Sequence, residues 1–91
     1  MEEIHKNASY KILQITLPAG KIMPRHYATS DAFIMVVSGE ARLSLTTKEQ
    51  ILQPGATFPI PAREPHTLEI LSDFRAFVVL AADANIEFNE K

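Results

Sequence analysis

Short apolar runs separated by turn residues recur along the chain, and they have the length of strands. Leu13-Gln14-Ile15-Thr16-Leu17 alternates with a period of two and stops at Pro18-Ala19-Gly20. Ala32 to Val37 is a continuous apolar run ending at Ser38-Gly39, and Glu40 to Leu45 alternates polar and apolar again. Gln50 to Gln53 is closed by Pro54-Gly55, a pair suited to the centre of a type II turn. Thr57 to Ile60, Thr67 to Leu71 and Phe74 to Ala81 complete the set, and Ser72-Asp73 between the last two reads as a tight hairpin. Strands of this length, with turn signals about every ten residues, predict an all-β sandwich or barrel of short antiparallel strands. Helix is disfavoured. Six prolines leave few windows for it, and apolar residues do not recur at i, i+3, i+4. The window that remains is the tail, Asp83 to Lys91.

Two runs, Phe33 to Val37 and Phe77 to Leu80, are apolar on both faces. One face of a strand in a small antiparallel barrel meets the core and the other normally meets water. These strands must therefore bury their outer face as well. A second copy of the chain, in a two-fold homodimer, is the economical cover. The alternative is that the terminal segments fold over that face.

Composition narrows the function classes. The 91 residues are expected to form one domain, 1–91, with a core large enough for one small pocket. They are 46% apolar and 22% charged, with a scattered net charge of −2. A nucleic-acid footprint needs a basic stripe, so no nucleic acid is expected as a partner. With no cysteine, disulfides and thiolate metal sites are excluded. The acidic start, Met1-Glu2-Glu3-Ile4-His5-Lys6, does not read as a signal peptide, and no run is long enough to span a bilayer. No membrane partner is expected, and the expected location is the cytoplasm.

Of three histidines, His5 lies beside Lys6 and Asn7 near a terminus and reads as a surface residue. His26 and His66 each follow a proline closely, where an extended segment begins, and hairpins separate them. A barrel can fold such positions together, and two imidazoles from separate strands are the start of a metal site. The frame around them resembles the cupin family. The first cupin motif is Gly, five residues, His-x-His, three or four residues, Glu, six residues, Gly. Here it reads Gly20, five residues, His26-Tyr27-Ala28, three residues, Ala32, six residues, Gly39. The second motif is Gly, five residues, Pro-x-Gly, two residues, His, three residues, Asn. It reads Gly55, five residues, Pro61-Ala62-Arg63, two residues, His66, three residues, Ile70. The motifs span 20–39 and 55–70, and the resemblance implies a double-stranded β-helix, the jelly-roll barrel.

In the family, two His and one Glu of the first motif and the His of the second bind a divalent metal. Only His26 and His66 carry over, because Ala28 and Ala32 replace the other two donors. Ile70 stands where the motif has Asn, and Arg63, at a glycine position, is expected to alter the turn before His66. Asp31 and Glu69 are out of phase with the histidines. A metal held by His26 and His66 would need water or ligand oxygens to complete its shell, and would bind weakly. The leading reading of the pair is a hydrogen-bonded remnant, ahead of that metal, and a metal-free acid or base comes third. The same substitutions predict an enlarged apolar pocket lined by Ala28, Ala32, Ile34, Phe58 and Ile70. The leading expectation is thus a small-molecule-binding module, with a divalent metal as its possible cofactor. The alternatives are a metal-dependent enzyme of dioxygenase, isomerase or decarboxylase type and a structural partner of another protein.

Overall fold

The computed structural model describes residues 1–88, and these form ten strands and no helix. They are β1 (Glu2–Lys6), β2 (Tyr10–Leu17), β3 (Ile22–Ala28), β4 (Ala32–Ser38), β5 (Ala41–Ser44), β6 (Glu49–Leu52), β7 (Thr57–Ile60), β8 (His66–Ile70), β9 (Phe74–Ala81) and β10 (Ile86–Phe88). Two five-stranded antiparallel sheets face each other, ordered β1-β2-β9-β4-β7 and β10-β3-β8-β5-β6. Only β1–β2 and β5–β6 are neighbours both in sequence and in a sheet. Every other connection carries the chain across to the opposite sheet. That winding makes the jelly-roll barrel anticipated from the glycine, proline and histidine frame. No helix among the described residues is long and apolar enough to cross a membrane.

Alternation fixes what each strand gives to the interior. Ala32, Ile34 and Val36 of β4 are buried, as are Phe74, Ala76, Val78 and Leu80 of β9 and His66, Leu68 and Ile70 of β8. The two ends of the barrel are filled differently. At one end Phe74, Ile70, Leu52, Val36 and Ala41 leave little room, and all are buried. At the other, the small Ala28 and Ala32 face His26, His66 and Ile60, and a cavity remains.

The structure corrects two sequence-based expectations and settles, for its described residues, a third point that the sequence left open. Ser72-Asp73 is no hairpin: β8 and β9 lie in opposite sheets, and the segment crosses between them with Leu71 N–H and Ser72 N–H donating to the Glu40 carbonyl (2.9 and 3.2 Å). The helical window does not close into a helix. Residues 86–88 form β10, because the edge of β3 supplies backbone partners; residues 89–91 lie outside the described part. Nor does Arg63 alter the turn before His66. It takes the left-handed conformation itself (φ 64°), in a loop held by Arg63 N–H to the Ala28 carbonyl (2.8 Å). A non-glycine residue there costs about 1–2 kcal/mol. Pro54-Gly55 does form the expected type II turn, with Gly55 at φ 85° and Ala56 N–H donating to the Gln53 carbonyl (2.8 Å).

The outer face of the first sheet is apolar across strands. Ile12, Val79, Phe33 and Pro59 stand in one cross-strand row, and Gln14, Phe77, Met35 and Thr57 in the next. Phe33 and Met35 are 41% and 42% exposed. The terminal strands do not cover this face, since β1 and β10 extend the sheet edges instead.

Candidate functional site

Pro24 has no N–H to give to a ladder. The pairing of β3 with β8 slips there, so that Pro24 and Arg25 stand opposite Thr67 alone. This bulge re-aims the strand and sets His26 directly opposite His66. The two rings meet edge to face, with centroids 4.2 Å apart and planes at 62°. Each side chain is 7% exposed, and they are the buried polar side chains among the described residues. On the far side of His26, Phe88 of β10 lies in the same cross-strand row, its ring centroid 5.3 Å away and its side chain half-exposed.

Both imidazoles are fixed in the same way. His26 Nδ1 lies 2.7 Å from the Pro24 carbonyl oxygen, and His66 Nδ1 lies 2.9 Å from that of Glu64. A carbonyl oxygen only accepts, so both Nδ1 atoms carry the proton. In the neutral ring Nε2 is then a lone pair, free to meet a ligand. Burial lowers the pKa of both histidines below 6.5, against the raising effect of those backbone bonds. The neighbouring His26 adds to the lowering at His66. Two neutral acceptors therefore stand side by side.

The cavity they border measures about 50 Å³. A water needs about 10–15 Å³ of such space, so about three to five water-sized groups fit. Ala28, Ala32 and Ile34 line it as the sequence frame placed them, but Phe58 and Ile70 do not. Ile70 is in phase with His66 yet sits four residues along β8, about 13 Å away at strand rise, in the solid end of the barrel. Phe58 points inward from edge strand β7 opposite Ile34, and Lys48 Nζ lies 5.2 Å over its ring. Ile15, Leu43, Ile60, Leu68, Val78 and Leu80 form most of the remaining wall, with Met1, Met23 and Ile86 beside them. The pocket is apolar as expected but small, because these larger side chains reach into the space that Ala28 and Ala32 leave. They were legible as inward-facing positions of alternating strands, but nothing in the pattern gave their depth.

Asp31 and Glu69, the carboxylates flanking the motif out of phase, are engaged elsewhere, and the carboxylate whose charge acts on His66, raising its pKa, is that of Glu64. Asp31 Oδ1 accepts from Ala62 N–H (2.8 Å), and Glu69 pairs with Arg42 on the outside of the second sheet. Among the described residues no group of three His, Cys, Asp or Glu side chains could hold a metal.

The lowered histidine pKa values set a pH dependence. As pH falls through 6.5, the unfolded chain takes up protons that the folded one resists. The stabilisation from the neutral pair is whole above 6.5 and lost progressively below it. Denaturation midpoints measured from about pH 8 down to about pH 5 should therefore fall in the wild type. The fall over that window should be shallower in the His26→Leu/His66→Leu double variant. Equal slopes would mean that the rings titrate as exposed groups do.

Residues 13–82 match the family model described as Cupin domain. Among solved structures, an RmlC-like cupin family protein with a double-stranded β-helix fold from Methanocaldococcus jannaschii is 25% identical, with a TM-score of 0.80 over 89% of this chain and 77% of that one. KdgF from Halomonas sp. is 18% identical, with a TM-score of 0.81 over 89% and 77% of the two chains. The DMSP lyase DddQ from Ruegeria pomeroyi DSS-3 is 24% identical at a TM-score of 0.78, and the match covers 85% of this chain but 40% of the lyase. The last two likenesses establish the fold alone. No curated protein matches the sequence.

Proposed function

Given that the chain belongs to the cupin family, we propose that it is a small-molecule-binding barrel whose ligand is anchored by His26 and His66. One observation carries this reading: two buried imidazoles, each with Nδ1–H committed to a backbone carbonyl, border an otherwise apolar cavity. An apolar cleft with a few convergent polar groups is the usual form of a ligand site. The cavity takes the ligand's apolar part against Ala28, Ala32 and Ile34, and the imidazoles orient its polar part.

The donor set does not fit a resident metal. Catalytic zinc sites usually supply three protein ligands, and the pair is joined by no third donor among the described residues. A divalent ion at His26 and His66 is held weakly, with water or ligand oxygens filling the rest of its shell. Elemental analysis of unchelated protein should find metal well below one per chain, removable by mild chelation without unfolding. Equimolar metal that survives chelation would contradict this.

A metal-dependent enzyme acting on a small molecule is the second reading, favoured by the lyase from Ruegeria pomeroyi that shares the barrel. Screening small molecules by melting temperature, with turnover followed in parallel, separates the two. A compound that raises the melting point by linkage and is recovered unchanged supports the module. Consumption of the compound supports the enzyme.

The apolar outer face of the first sheet is proposed to bury itself against a second copy of the chain. The second sheet offers no such face, since Arg42, Glu49 and Glu69 lie outside it. An isologous two-fold contact would bring the Phe33 and Met35 rows of both copies together. Sedimentation should give a dimer for the wild type and a monomer for Met35→Lys. A monomeric wild type at micromolar concentration would contradict the dimer.

A further inference from the structure

We propose that the cavity selects an uncharged molecule carrying an N–H or O–H donor on a short aliphatic body, and turns carboxylates away. This rests on the reading of the barrel as a small-molecule-binding module. The Pro24 and Glu64 carbonyls hold both Nδ1 protons. What each ring offers a ligand is therefore an acceptor only. The β3–β8 register sets these acceptors on directly opposed residues, with ring centroids 4.2 Å apart. A primary amide nitrogen brings two N–H groups to such a pair, and a hydroxyl brings one. A carboxylate would set its lone pairs against two more.

The rest of the wall sharpens the choice. Ala28, Ala32, Ile34 and Ile60 provide neither donor nor charge. No Lys or Arg lines the cavity to balance a carboxylate, and no Asp or Glu lines it to balance an ammonium. Burying either charge without a partner is costly. The volume of about 50 Å³ admits only a few heavy atoms, so the enclosed body is short. Met1 borders the cavity yet is largely exposed, so a longer molecule can reach the surface beside it.

Three probes of nearly equal size separate the possibilities: butyramide, butyrate and butylammonium. Each is titrated into the full chain at about pH 8 and followed through amide shifts and the imidazole ¹⁵N resonances. Butyramide should bind at least about tenfold more tightly than butyrate, the penalty of leaving buried polar groups unpaired. It should also move the Nε2 resonances of His26 and His66. Butyramide affinity should fall by a similar factor in His26→Phe, and the wild-type Nε2 shifts decide the matter should that variant fail to fold. Butyrate or butylammonium binding as tightly as butyramide overturns the selectivity while the small-molecule reading stands. Failure of all three probes to perturb the cavity overturns both.

Discussion

Gly39→Ala should cost about 3–5 kcal/mol, a large share of the whole stability of a small domain. Gly39 adopts φ 80°. A Cβ placed on it would lie 1.9 Å from the Asp73 carbonyl oxygen and 2.8 Å from Phe74 Cα. Both are backbone atoms, so no side chain can swing aside to relieve the overlap. The backbone is pinned there as well, by Leu71 N–H and Ser72 N–H on the Glu40 carbonyl and by Glu40 N–H on Ser72 Oγ. Gly20 and Gly55 serve as internal controls. They share the left-handed conformation, but a Cβ on either meets nothing within 4 Å. Alanine at those positions should cost only about 1–2 kcal/mol. Urea denaturation of the three variants measures the difference, and a Gly39→Ala variant no weaker than Gly20→Ala would contradict the close approach of the two connections.

Phe74→Ala is expected to cost about 3–5 kcal/mol by opening a cavity in the solid end of the barrel. Phe74 is 2% exposed, pairs in register with Leu17, and does not border the histidine cavity. The contrast is His66→Leu. That change replaces a buried polar ring with an apolar group beside existing empty space, so it should leave denaturation midpoints near the wild-type value above pH 6.5. A large loss from His66→Leu together with a small one from Phe74→Ala would place the stabilising core at the wrong end of the molecule.

Much of the fold was legible because period-two alternation and turn chemistry agree. Thr57 to Ile60 and Phe74 to Ala81 were read with the boundaries the strands have, since Pro-Gly turns and buried alternation mark their ends. β1 was missed because Glu2 to Lys6 is exposed throughout and is held only by pairing with β2. β10 was missed for a similar reason: three residues carry no period, and their partner is the distant β3. Ser72-Asp73 misled because a turn signal shows that the chain changes direction, not which sheet it enters.

The histidine pair was legible from motif spacing, because fixed glycine and proline positions set the phase of both strands. The pocket's size and two of its expected walls were not. Phase decides which face a side chain takes, and Ile70 and Phe58 both face inward. Depth along the barrel depends on shear between strands and on bulges such as the one at Pro24-Arg25, which the local pattern does not encode.

The most direct measurement is the ¹⁵N spectrum of the histidine side chains of the intact protein at about pH 8. His26 and His66 should each give a protonated Nδ1 and a bare Nε2, with an Overhauser contact between the two rings. Protons on Nε2 in either buried ring, or two rings averaging independently in solvent with no contact between them, would contradict a pair of acceptors meeting inside the barrel.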